Sequence, residues 1–165
     1  MSSVKLFAVA GAAVALLAVT AHAGTMFRLE IGPPVAAGFT KSKDLKKFDK
    51  KVVLAVRALV CEDLANVQIT GTAEGVVNGS RRSIPLTLAE VDKAEAIYAI
   101  QYEWPETGAW VLHLKGACAK PKAEASTLVP MSKGSFIRDK TQVLTEAATK
   151  KQIEDAVSAH SRAQS

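Results

Sequence analysis

Few side chains in this sequence are equipped for covalent or metal chemistry, and their spacing argues against most of it. Beyond residue 23 the histidines are His113 and His160, the cysteines Cys61 and Cys118, and the methionines Met26 and Met131. A hydrolytic nucleophile needs a base within hydrogen-bond reach and a third group to orient that base, and no G-x-S-x-G elbow or comparable signature is present. No catalytic residue is therefore expected, and an enzyme is the less favoured class. His113 alternates with Leu112 and Leu114, which predicts an exposed or edge histidine. His160 falls in a fraying terminal helix, where solvation is expected. A transition-metal site needs several convergent soft or imidazole ligands. His113, Met26 and Met131 are a thin pool, so neither a metal nor another cofactor is expected. There is no D-x-D-x-D-G calcium loop, and no glycine loop followed by Lys-Ser or Lys-Thr to cradle a phosphate.

Four other groups carry an expectation. Cys61 and Cys118 lack a C-x-x-C spacing, which speaks against redox exchange or a thiolate metal site. In an oxidising compartment two cysteines favour one intramolecular disulfide. Closing a loop of about 60 residues contributes about 4 kcal/mol on the chain-entropy view. Arg57 is the sole charge in the apolar run Val52–Cys61 and is the candidate ligand-binding residue, because a buried Arg needs a partner and a paired Arg can hold an anion. Its simpler reading is an Arg turned to solvent by period-two neighbours. Glu103 and Glu106 flank Trp104-Pro105, either as paired carboxylates beside an aromatic sugar platform or as solvated turn acids beside a core tryptophan. Lys41, Lys43, Lys46, Lys47, Lys50 and Lys51, interrupted by Asp44 and Asp49, form a solvated connector or a weak contact with anionic envelope polymer or lipid.

The compartment follows from residues 1–23. Lys5, the apolar run Leu6–Val19 and the small-x-small triplet Ala21-His22-Ala23 have the three-part pattern of a cleavable signal peptide. The apolar run is well short of the roughly 20 residues that span a bilayer. The chain is therefore expected to begin near Gly24, to be periplasmic or secreted, and to keep no transmembrane segment. Losing Lys5 lowers the formal net charge of +5 by one. So mild a charge, with no dense basic stripe, gives no reason to expect a nucleic-acid partner.

The elements that would position these groups read mainly as strands. Met26–Ile31 alternates with period two, Val52–Cys61 reads as a central buried strand, and Val67–Ala73 puts Val67, Ile69, Gly71 and Ala73 on one face. Asn78-Gly79 predicts a type I′ hairpin turn, followed by a strand over Arg82–Leu88 in which Pro85, unable to donate to a ladder, suggests an edge strand or an outward-facing N position. The Asn78-Gly79-Ser80 sequon is read as that turn rather than as a glycan site. Glu90–Ala96 reads as one helical turn. Ile97–Trp104 and Trp110–Lys115 read as a hairpin joined through Pro105–Ala109. Ala119–Ser126 is expected to be a polar linker, and Thr127–Met131 with Ser135–Arg138 a small hairpin about Lys133-Gly134. Thr149 and Gln152 fit a capping box opening a helix with Ile153, Ala156, Val157 and His160 on one stripe. The expected organisation is a signal peptide over 1–23, an N-terminal strand and lysine-rich connector over 24–51, a β-sandwich core over 52–118, and a C-terminal hairpin and helix over 119–165.

The run Tyr98–Leu114, Tyr-x-x-x-Tyr-x-Trp-Pro-x-x-Gly-x-Trp-Val-Leu, resembles the closing hairpin of bacterial exported immunoglobulin-like sandwich modules. The resemblance implies a mostly β chain, an immunoglobulin-like antiparallel β-sandwich with a short C-terminal helix. Some periplasmic sandwiches of this kind handle copper or carry ligands, but their clustered Met and His ligands are missing here. The functional expectation is an exported, non-enzymatic binding or interaction module of the bacterial cell envelope, with an envelope protein or polymer as partner. The alternative is a small-ligand or metal carrier, or an enzyme, using a pocket beside the C-terminal helix.

Overall fold

A computed structural model describes residues 26–35, 46, 48 and 50–164. The segment 1–23, expected to be a signal peptide, and lysines 41, 43 and 47 lie outside the described residues. In chain order the elements are β1 (Arg28–Gly32), β2 (Val52–Leu59), β3 (Gln68–Val77), β4 (Ser80–Pro85), β5 (Leu88–Asp92), β6 (Ile97–Gln101), β7 (Ala109–Cys118), β8 (Ala123–Ser132), β9 (Ser135–Phe136), β10 (Gln142–Leu144) and α1 (Lys150–Arg162).

These strands form two antiparallel sheets packed as a sandwich. One has the order β1-β2-β6-β5, and the other β10-β8-β7-β3-β4 with β9 added to β8. Period-two alternation supplies the shared core: Leu29, Leu54, Val56 and Ile100 from the first sheet meet Ala73, Leu112, Leu114 and Val129 from the second. The mostly β class with a C-terminal helix is as expected. The second sheet is also covered on its outer face, where Val111 and Leu128 pack against Ala156 and Val157 of α1. Thr149 caps α1 through both arms of a capping box, its side chain accepting from the Gln152 amide while the Gln152 side chain accepts from the Thr149 amide.

Turn chemistry is where expected. Asn78 and Gly79 take positive φ of 50° and 74° and join β3 to β4, which is an edge strand and carries Pro85 at its end. Lys133 and Gly134, with φ of 48° and 72°, make the matching turn from β8 to β9.

Four local expectations are corrected. The segments around Pro105–Ala109 are not a hairpin: β6 pairs with β2 and β5, and β7 pairs with β3 and β8, so residues 102–108 arch from one sheet to the other. Alternation reports which face is buried and is silent about which strand lies alongside, and Trp104 and Trp110 bury from opposite ends of the arch. Ala119–Ser126 is not a linker, since from Ala123 it is β8, with Ala125 and Ser126 wholly buried. Small and hydroxylated side chains there hide a core strand behind a polar composition. Glu90–Ala96 is not helical: β5 runs to Asp92, and a turn ends at Ala96. Arg82–Leu88 is not one strand, because the chain leaves the second sheet at Pro85 and enters the first at Leu88.

Candidate functional site

Two adjoining cavities of about 310 and 300 Å³ share Tyr102, Glu106, Lys133 and Gly134, and together form a groove at one end of the sandwich. Three elements converge on it. The residue entering β2 supplies Lys51, the inter-sheet arch supplies Tyr102, Trp104 and Glu106, and the β8–β9 turn supplies Lys133 and Gly134. The Tyr102 amide donates to the Lys51 carbonyl at 2.9 Å, which fixes the arch against the start of β2. Gln164, just past α1, closes one side.

The floor is aromatic. The Tyr102 and Trp104 rings lie 4.8 Å apart at 55°, a tilted packing that favours aromatic quadrupoles. Trp104 and Trp110 are buried, and Trp110 Nε1 donates to the Thr107 carbonyl at 3.0 Å. Tyr102 is half-buried and lines both cavities. Burial raises its pKa, and Glu106 adds to the shift, so the hydroxyl stays protonated at neutral pH.

The two carboxylates have separate fates. Glu103 accepts from Lys50 Nζ at 2.9 Å and from the Thr87 amide at 2.8 Å. Burial opposes its ionisation, but these partners outweigh that and hold its pKa below the usual carboxylate range. Glu106 is exposed at the groove and makes no ion pair among the described residues. Lys51 and Lys133 are likewise exposed and without a carboxylate partner among the described residues. The groove thus carries two cations and one anion around a tyrosine.

The remaining candidates are placed as follows. Cys61 and Cys118 are joined in a disulfide. Arg57 lies directly opposite Glu30 across β1–β2, with Nη2 and Nε at 2.6 and 2.7 Å from Glu30 Oε2. Both are partly exposed, so the apolar run turns its one charge outward into a cross-strand pair. His113 is half-buried and faces the Ser126 hydroxyl at 3.4 Å, on the opposite side from core residues Leu112 and Leu114. It sits opposite Leu128, three positions along β8 from Met131. Among the described residues no three His, Cys, Asp or Glu side chains come together as a metal site. No helix among them is long and apolar enough to cross a membrane.

His160 overturns its expectation of solvation. It is 3 % exposed, its Nε2 lies 2.8 Å from the Met131 carbonyl, and its Nδ1 is buried without a hydrogen-bond partner among the described residues. It borders a cavity of about 390 Å³ between β8, the 3-10 turn Arg138–Lys140 and α1. The helix stripe that predicted Ala156 and Val157 as buried includes His160 at the same spacing, and that was the signal for it. Lys133, by contrast, read only as a turn residue, and nothing local in the sequence brings it to Lys51. No protein-family model, curated protein or solved structure matches this chain.

Proposed function

We propose that this chain is an exported, non-enzymatic binding module of the bacterial cell envelope, an immunoglobulin-like sandwich that presents the groove around Tyr102 to an envelope polymer or protein. The observation that carries this reading is the groove's charge, without an ion-pair partner among the described residues: Lys51, Lys133 and Glu106 line a concavity with a half-buried tyrosine. A concave site with an aromatic surface and a few convergent polar groups is the usual form of a binding site. Export is supported by the leader pattern of residues 1–23 and by the disulfide, a bond that persists in oxidising compartments.

The full chain, expressed in a bacterium with a C-terminal tag, is expected in the periplasm or medium with its amino terminus at Gly24. It should co-sediment with purified envelope material, and Tyr102→Ala should reduce that retention. Uncleaved protein in the cytosol overturns export. Retention unchanged by Tyr102→Ala overturns the groove as the binding surface.

A second reading, a small-ligand carrier, is favoured by the cavity of about 390 Å³ beside α1, which Ala156, Ala159 and His160 border. Mass spectrometry after dialysis against envelope extract should then find a small molecule retained by the wild type and lost on Ala159→Trp, which fills the cavity from the helix. No such molecule on either protein removes this reading.

A further inference from the structure

The groove's side chains also specify the chemistry of what would occupy it. We propose that its ligand is an acidic polysaccharide, a sugar polymer carrying carboxylate groups, an inference that rests on reading the groove as the binding surface. Lys51 and Lys133 reach the groove from different elements, one entering β2 and the other in the β8–β9 turn. Neither has a carboxylate partner among the described residues, and both residues are exposed there. Each ammonium offers up to three donors, and charge-assisted bonds to carboxylate oxygens are the strong ones. Gly134 brings the turn close to both Lys51 and Tyr102: a Cβ built there would lie at contact distance, 3.4 Å from Lys51 Nζ and 3.8 Å from the Tyr102 ring.

The other groups favour a sugar over alternative polyanions. Tyr102 presents an apolar ring body and a hydroxyl tip, suited to the apolar face and the hydroxyls of a pyranose. The carboxylate of Glu106 accepts hydrogen bonds, so it pairs with neutral hydroxyls and repels closely spaced anions. A nucleic acid or an anionic bilayer brings such a dense row of phosphates. An acidic glycan brings spaced single charges with hydroxyls between them. The aromatic residues also line a concavity, a shape that suits a chain laid along it.

The test is equilibrium binding of the exported, disulfide-bonded protein to polygalacturonate, to neutral dextran of similar length and to anionic phospholipid vesicles, at low and high salt. Saturable, salt-weakened binding to polygalacturonate, with none to dextran or vesicles, is expected. The double variant Lys51→Gln/Lys133→Asn should bind at least about tenfold more weakly, as loss of two charge-assisted contacts requires. Asn tolerates the left-handed backbone at position 133, so the turn survives. Lys122→Gln, beyond the opposite end of β8, removes a charge of the same sign and should leave affinity within about twofold. Equal binding to dextran, binding to vesicles alone, or a double variant that binds as the wild type overturns the proposal. If polygalacturonate fails while Tyr102→Ala still lowers retention on envelope material, the acidic-glycan inference falls and the binding-module reading stands. If neither responds, both fall.

Discussion

His160 Nε2 stands 2.8 Å from the main-chain oxygen of Met131, so the last helix is latched to β8 by a buried imidazole. Burial lowers the pKa of His160. The bond to Met131 works in the opposite direction, and the nearby charge of Lys140 adds to the lowering. The folded state therefore binds this proton less tightly than the unfolded chain does. Its contribution to stability is complete above the ordinary histidine value of about 6.5 and shrinks as pH falls below it.

Chemical denaturation between about pH 8 and pH 5 should show stability declining through the lower half of that range. His160→Gln should flatten the decline. It should not abolish it, because burial also lowers the pKa of His113. A pH profile identical in the variant would show that the latch does not titrate.

Gly75 is a packing requirement of the groove's floor. A Cβ there would lie 2.4 Å from Cε3 of buried Trp110 and 2.8 Å from the Ala109 carbonyl, atoms that cannot swing aside. Gly75→Ala should cost about 2–3 kcal/mol in urea denaturation and alter the near-ultraviolet signal of tryptophan. Gly79→Ala meets no atom within 4 Å but sits at a φ of 74°, and should cost only about 1 kcal/mol.

Arg57 is expected to be nearly silent. Its pair with Glu30 is partly exposed on both sides, where ion pairs contribute about 0–1 kcal/mol. Arg57→Gln should leave stability within that range and polymer binding unchanged, whereas a large loss of binding would return Arg57 to the site.

The disulfide links residues 57 apart, joining the exit of β2 to the end of β7. Cys61→Ser/Cys118→Ser should lower stability by about 2–4 kcal/mol, with reductant mimicking the variant in the wild type and leaving the variant unaffected.

Val60, one residue before that bridge, is a β-branched residue at a φ of 63° and is 38 % exposed. Left-handed backbone costs such a residue about 1–2 kcal/mol. Val60→Asn should therefore raise the thermal midpoint, since little burial is lost with the side chain.

Local pattern was enough to place most of the strands, the Asn78-Gly79 turn, the edge position of Pro85 and the capped helix at Thr149. Each depends on side-chain period or on the φ preference of one or two residues, and both are written into neighbouring positions. The pairing of Cys61 with Cys118 followed because two cysteines in an oxidising setting have one intramolecular partner each. Strand neighbours were another matter. The aromatic alternation of Tyr98–Leu114 is the same whether β6 and β7 pair or face each other across the core, and only the packed sandwich chose the second. Likewise Ala125 and Ser126 read as polar linker because a core strand between two covered faces can be built from small side chains. The groove was hidden for the same reason. Lys51, Tyr102 and Lys133 are far apart in the chain, and no residue's own chemistry announces which distant turn will fold beside it. Their meeting is decided by sheet order, a property of long-range pairing that period and propensity do not encode.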